Sequence, residues 1–276
     1  MAQITAQQVK QLRDETNLGM MECKKALVET DGDMNAAIKM LREKGELAAA
    51  KRADRETKQG VIASALRDGK LGVLVEVGCE TDFVAKNSTF QTYVQEIADQ
   101  GLDVDNLAEA VNDKIVGMIQ EIGEKIIVSA STKYELQGTG IVSSYIHMGG
   151  KVGVLIEVGC ENDATIGNEL FAETVKDLTL HIAAANPTCV SRDEVPAETV
   201  AAEREIFAKQ VEGKPENIID KIVDGKMAKF YSQICVLEQE FVKDTDMSIT
   251  QLLQARGKEL GDTLSIRRFT RYQIGG

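Results

Sequence analysis

Hydrophobic positions change their period along this chain. Over the first fifty residues they recur at three- and four-residue intervals, the spacing of helices buried on one face. Thr5 with Gln8 three residues on reads as a capping box ahead of Val9 and Leu12. Asn17-Leu18-Gly19 breaks that pattern, and a second helix is expected over Met20, Met21, Lys24, Lys25, Ala26, Leu27 and Val28. Asp31-Gly32-Asp33 is a turn whose Asp33 can cap a third helix containing Ala37, Ile38 and Leu41, with Gly45 suited to its stop. Residues 48–58 lose apolar periodicity and read as a linker.

From Gly60 the period becomes that of strands. Val61 to Leu66 and Leu71 to Cys79 are predicted strands, joined by a hairpin turn at Arg67-Asp68-Gly69-Lys70. After a short polar bend, Glu80-Thr81-Asp82, a helix is expected over 88–100, with Phe90, Val94, Ile97 and Ala98 on one side. A longer helical stretch carries Leu107, Val111, Ile115, Ile119, Ile122 and Ile126, and Val128 to Leu136 reads as another strand. The whole pattern then returns at a constant offset of 81 residues. GVLVEVGCETD is matched by GVLIEVGCEND, and Phe90, Val94 and Ile97 by Phe171, Val175 and Leu178. The hairpin Ile141 to Ile146 and Val152 to Cys160 turns at His147-Met148-Gly149-Gly150. Identity at Gly, Glu, Gly and Cys with matched helix spacing points to duplication within one core.

The second copy is interrupted after His181. Asn186-Pro187 breaks the helix, a new one is expected from Pro196 to about Gln210, and Gly213-Lys214-Pro215 turns into a return helix carrying Ile218, Ile219, Ile222, Val223 and Met227. Ile234 to Val242, a short helix with Leu252 and Leu253, and a strand over Leu264 to Ile274 complete the core. Arg267, Arg268 and Arg271 on that strand are expected to form a solvated face. The predicted class is α+β: a small N-terminal three-helix module, a duplicated core with antiparallel sheets, and an inserted antiparallel helical hairpin. The division follows as 1–54 for the module and linker, 55–139 for the first core subdomain, 140–186 with 231–276 for the second, and 187–230 for the hairpin. In size and helix spacing the module resembles ubiquitin-associated (UBA) domains.

Composition narrows the functional classes. The 44 acidic and 32 basic residues give a net charge of −12, a poor match to general nucleic-acid binding, which draws on Lys and Arg neutralising phosphates. The acid is uneven, since residues 1–59 hold 11 Lys and Arg against 10 Asp and Glu. Five cysteines without a C-x-x-C pair read as small buried thiols in a reducing compartment. MAQITAQQVK lacks the layout of a secretory signal, and no apolar run approaches the ~20 residues that span a bilayer. A soluble, cytoplasmic protein with no membrane partner is expected.

Reactive chemistry is scarce. The two histidines, His147 and His181, do not cluster with cysteines, so no metal site is expected. Neither a phosphate-binding G-x-x-x-x-G-K-[ST] loop nor the G-x-S-x-G and H-E-x-x-H motifs occur. What stands out is an aromatic, Phe83, in a bend that would ordinarily be polar, while the second copy has Ala164 there. A duplicated scaffold with one decorated loop places function on the decoration. Phe83 is open to two readings: packing beneath its own loop, or entering a partner.

Two stretches carry a resemblance. LRDETNLGMMECKKAL, Leu12 to Leu27, and EVGCETDFVAKN, Glu76 to Asn87, resemble the two signatures of the bacterial elongation factor Ts family. Asn17-Leu18 stands where Gly and a small residue are more usual, and Gly78 where Asn is frequent. Module order, duplication, inserted hairpin and the SYIHMGGKVGVL turn fit as well, so the resemblance covers essentially the whole chain. It also implies that the extra C-terminal helical segment of some members is missing after Ile274.

The resemblance implies a guanine-nucleotide exchange factor for the GTPase elongation factor Tu. Such a factor binds the GDP form, promotes release of GDP and Mg²⁺, and performs no covalent chemistry. Neither a cofactor nor nucleic acid is implied. Thr81, Asp82, Phe83 and Val84 would form the exchange contact that dislocates Mg²⁺, and Leu12, Met20, Lys24 and His147 would be further partner contacts. Met20 and Met21 can equally be core, Lys24 and Lys25 a solvated face, and His147 an ordinary turn residue. The hairpin at 187–230 is open to use in a dimer, a hetero-tetramer or a GTPase contact. Two other classes compete: a UBA-like adaptor without exchange activity, which gives no reason for Thr-Asp-Phe-Val, and an enzyme with a cleft in the duplicated core.

Overall fold

A computed structural model describes residues 4–16, 18–211 and 216–275, without the side chains of residues 216 and 217. The fold is α+β. Three helices open it: α1 (Ala6–Thr16), α2 (Met20–Glu29) and α3 (Met34–Ala50). The capping box forms as expected, with Thr5 N–H donating to Gln8 Oε1 at 3.0 Å and Gln8 N–H to Thr5 Oγ1 at 3.2 Å. Asp33 caps α3 by accepting from Ala36 N–H at 3.0 Å. Val9, Leu12, Leu18, Cys23, Ala26, Leu27, Ala37 and Leu41 fill a small core between the three helices.

Gly45 corrects one expectation. It does not end α3 but lies inside it, where a Cβ would come within 2.5 Å of Val116 Cγ1. The glycine, worth about 1 kcal/mol less than Ala in a helix interior, is explained by close helix contact. The expected linker is accordingly shorter, because Ala48 to Ala50 continue α3.

The first sheet has the order β1 (Gln59–Arg67), β2 (Leu71–Cys79) and β3 (Ile127–Glu135), all antiparallel. Asp68 and Gly69, both at positive φ, are the central residues of the turn that closes the β1–β2 hairpin, with Lys70 N–H donating to Arg67 O at 3.0 Å. Between β2 and β3 lie α4 (Asp82–Ala85), α5 (Ser88–Gly101), α6 (Leu107–Ala110) and α7 (Asn112–Ile122). The expected long helix over 107–126 is thus split at Val111 and ends at Gly123, which takes a left-handed conformation. Strand alternation sorts the two faces. Val61, Ala63, Ala65, Val75 and Val77 pack against Phe90, Val94, Ile97 and Ala98 of α5, while Ile62 and Leu74 point the other way.

The second copy repeats this with β4 (Gly140–His147), β5 (Val152–Gly159), α8 (Asp163–Ile166) and α9 (Glu169–Ala185). Val154, Ile156 and Val158 meet Phe171, Val175 and Leu178 on α9. The two sheets lie face to face through Ile62, Leu74, Tyr134, Val142 and Leu155, giving layers of helix, sheet, sheet and helix. Gly72 and Gly153, equivalent positions, permit that approach. A Cβ on Gly72 would sit 2.7 Å from Val142, and one on Gly153 would sit 2.4 Å from Ile62. Hydrogen bonds Ser64–Ser144 (2.9 Å), Thr132–Tyr272 (2.6 Å) and Tyr134–Thr270 (2.9 Å) join the sheets.

The insertion consists of α10 (Ala197–Lys209) and α11 (Glu216–Ile234), packed through Val211, Val223 and Met227; the expected turn at Gly213-Lys214-Pro215 lies outside the described residues. The chain finishes with β6 (Glu240–Phe241), β7 (Asp244–Ser248), α12 (Ile249–Leu260) and β8 (Ser265–Gln273), which pairs with β5.

The β8 arginines are not a solvated face. Glu157 is fully buried and accepts from Arg268 Nε at 2.8 Å, Arg267 Nη1 at 3.1 Å and Gln137 N–H at 2.8 Å. Arg271 Nε donates to Ala183 O at 3.2 Å. A buried carboxylate is tolerable only when donors surround it in this way.

Candidate functional site

The bend after β2 is a short capped helix rather than a loose loop. Thr81 is extended and accepts from Val84 N–H at 3.3 Å through its hydroxyl, so one turn, α4, begins at Asp82. Asn87 then caps α5 by accepting from Thr89 N–H at 2.8 Å. Within α4 the four residues divide by direction. Ala85 is buried in the first core and Val84 packs partly against it, while Phe83 stands 82% exposed. The reading in which Phe83 packs beneath its own loop is thereby excluded.

The supports of this turn come from behind it. Glu124 Oε2 accepts from the N–H groups of Glu80 and Thr81 at 2.9 and 3.0 Å, and its Oε1 accepts from the Thr81 hydroxyl at 2.6 Å. Glu80 Oε1 accepts from Lys125 N–H at 2.6 Å and also pairs with Arg55. The Lys125 N–H, with Arg55 beside it, lowers the Glu80 pKa. Burial pushes the Cys79 thiol up to about 11, with the Glu124 charge adding to it, so Cys79 is an inert packing group. Asp82 pairs with Lys86 across one turn at 2.7 Å, and that hydrogen bond holds its carboxyl below the usual range. Glu124 escaped the sequence reading, because nothing near it marks a partner 43 residues away.

The remaining candidates lie on separate elements. Met20, 51% exposed, and Lys24, also exposed, stand on the surface of α2. Leu12 requires correction: with no exposed surface it is a central residue of the module's core and has no side chain to offer a partner. The signature places it beside exposed residues, but its helical phase turns it inward with Val9. His147 is exposed at the β4–β5 turn, its Nδ1 2.8 Å from the Tyr145 hydroxyl, next to an exposed Met148.

Among the described residues, no group of three or more His, Cys, Asp or Glu is placed to hold a metal ion. No helix among them is long and apolar enough to cross a membrane. A cavity of about 380 Å³ between the module and α7 is lined by Leu18, Leu41, Arg42, Asp113 and Val116, and Phe83 is not part of it. The marked site is an aromatic held outward on a braced turn.

A family model described as elongation factor TS matches residues 80–276. Elongation factor Ts of Trichlorobacter lovleyi is 43% identical, the alignment covering 99% of this chain and 93% of that protein. The proteins of the same name from Bdellovibrio bacteriovorus and Nitratidesulfovibrio vulgaris are 42% and 40% identical, again over 99% of this chain and over 92% and 96% of theirs. The chain belongs to the elongation factor Ts family and is a translation elongation factor.

Proposed function

We propose that this chain is a guanine-nucleotide exchange factor for elongation factor Tu, acting in the cytoplasm by binding alone. The single observation that carries the reading is the exposed Phe83 on a turn tied down at both ends. An aromatic kept in water is a reserve of binding energy, on the order of 1.5–3 kcal/mol once buried in a partner. Exchange requires that this energy be realised unequally. A factor that binds GDP-loaded and nucleotide-free GTPase with equal affinity shifts nothing, and any weakening of GDP by the factor is matched by weakening of the factor by GDP. In this proposal Phe83 enters the GTPase best when GDP and Mg²⁺ have left, with Thr81, Asp82 and Val84 forming the rest of the contact. Met20 and Lys24 on α2 and His147 on the second sheet add affinity at separate points.

The chain divisions expected from the sequence are kept in this proposal, with 1–54 as a contact module and 187–230 as a projecting hairpin. Ile206 and Ile218 are exposed on that hairpin, and we assign these two side chains to a dimer contact between two copies. Release of a fluorescent GDP analogue from elongation factor Tu tests the main proposal. Catalytic amounts of the chain should accelerate release, and excess GDP should dissociate the complex. A release rate equal to the spontaneous one would refute it.

A further inference from the structure

The carboxylate behind the Phe83 turn lies outside both sequence signatures. Glu124 follows α7 and is spent on two consecutive residues, Glu80 and Thr81, which immediately precede Asp82. Its bond to Thr81 also sets the cap. Because the Thr81 hydroxyl donates to Glu124, its lone pairs remain to accept from Val84 N–H, the bond that starts α4. A carboxylate accepting from three donors fixes the turn before any partner arrives, and a preordered contact loses less freedom on binding.

The second copy supports the assignment by contrast. There Asp262, from a different place in the chain, accepts from the N–H groups of Glu161 and Asn162 at 3.0 and 3.2 Å and from the Thr165 hydroxyl at 2.5 Å. Both turns are thus braced by a carboxylate that takes two of the turn's backbone N–H groups and one of its hydroxyls, Asp262 taking Thr263 N–H as well. Only the turn braced by Glu124 displays an exposed aromatic, since the equivalent residue of the other is Ala164.

We infer that Glu124 is a positioning residue for nucleotide exchange: by holding Glu80 and Thr81 it fixes the direction in which Phe83 leaves the surface. The inference rests on the proposed role of Phe83, and the test separates the two. Release of a fluorescent GDP analogue from elongation factor Tu is measured against concentration of the full chain, below the melting temperature of every variant. Glu124→Ala should lower the plateau rate about ten-fold, in line with losing hydrogen bonds to a charged group. Glu124→Gln should recover most of that loss, because its amide oxygen can still take the two backbone N–H groups while its amide nitrogen donates to Thr81 Oγ1. Asp262→Ala removes the equivalent brace and should leave the plateau at the wild-type value while lowering the melting temperature. If Glu124→Ala does not fold, Glu124→Asp, whose carboxylate is one methylene short of Glu80 and Thr81, reads the same link and should also lower the plateau.

A wild-type plateau for folded Glu124→Ala, with Phe83→Ala slow, overturns this inference and leaves the exchange reading standing. Equal slowing by Asp262→Ala overturns it as well, since the effect would then be general loosening. A wild-type rate for Phe83→Ala overturns the role proposed for Phe83, and with it anything Glu124 has to position, while the exchange reading falls only if the chain leaves GDP release at its spontaneous rate.

Discussion

The two copies of the core differ least where they are built and most where they are exposed. Each has a bulge in its central pairing, at Glu76/Val77 in one and Glu157/Val158 in the other. In each a cysteine ends the apolar run and donates to a carbonyl two residues on, Cys79 to Thr81 at 3.3 Å and Cys160 to Asn162 at 3.5 Å. Asn87 and Asn168 cap the equivalent helices. Even the carboxylate brace recurs, and hydrogen bonding to Thr165 and the surrounding N–H groups draws the Asp262 carboxyl down to about 2. The outward residue is then Phe83 in one turn and Ala164 in the other. Since the second turn folds without the aromatic, folding does not account for Phe83.

The copies also differ inside, and there the difference runs the other way. Glu157 is fully buried between Arg267 and Arg268, whereas its equivalent Glu76 is only partly buried and faces Ala130 where Glu157 faces Arg268. Burial raises the pKa of Glu76, which lacks those arginines. The largest expected stability effect follows. Glu157→Ala takes the carboxylate from two guanidinium groups, leaving them only backbone carbonyl acceptors, and should destabilise the chain by about 3–5 kcal/mol in urea unfolding, while Glu76→Ala should cost under about 1 kcal/mol. Equal losses would mean that the arginine pair contributes nothing specific to the second copy.

A smaller effect tests what the copies share. Gly72→Ala and Gly153→Ala each push a methyl into the opposite sheet, so each should cost about 1–3 kcal/mol by overpacking. Their costs should not simply add, because separating the sheets for one relieves the other. Additive losses in a double-mutant cycle would show that the sheets adjust independently.

The smallest effect is one of pH and belongs to the second copy alone. His181 occupies the place of Gln100 and is fully buried, its Nε2 2.9 Å from Gln239 Oε1 and its Nδ1 accepting from Val242 N–H at 3.3 Å. Burial lowers its pKa from 6.5. A base harder to protonate when folded contributes stability that is complete above the unfolded value of about 6.5 and is lost as pH falls towards the folded value. Melting temperature should therefore fall between pH 7 and 5, and His181→Gln should flatten that part of the profile. An unchanged slope would show that His181 does not carry the acid loss.

Much of the architecture was legible because it is local. A continuous apolar run located β2 to its ends, and a recurrent offset exposed the duplication. The capping residues Thr5 and Asp33 were readable because their partners lie three residues away. What failed to show depends on pairs far apart in the chain. Gly45 meets Val116, Arg267 meets Glu157, and Glu124 meets Thr81, none of which a periodicity can reveal. Leu12 failed for a different reason: signature membership says that a residue is used, not whether it is used inside or outside.

Exchange by Phe83→Ala, alone and with Ala164→Phe, tests the central contrast most directly. The side chain is exposed, so the variant should melt with the wild type, and Asp82→Ala should act in the same direction more weakly. Release of the fluorescent GDP analogue should slow by about one to two powers of ten, the rate equivalent of burying one Phe. Moving the aromatic to the second turn should restore none of that loss, because the proposal sets only the first turn at the nucleotide site. A wild-type rate for Phe83→Ala, or full recovery in the double variant, would contradict the account.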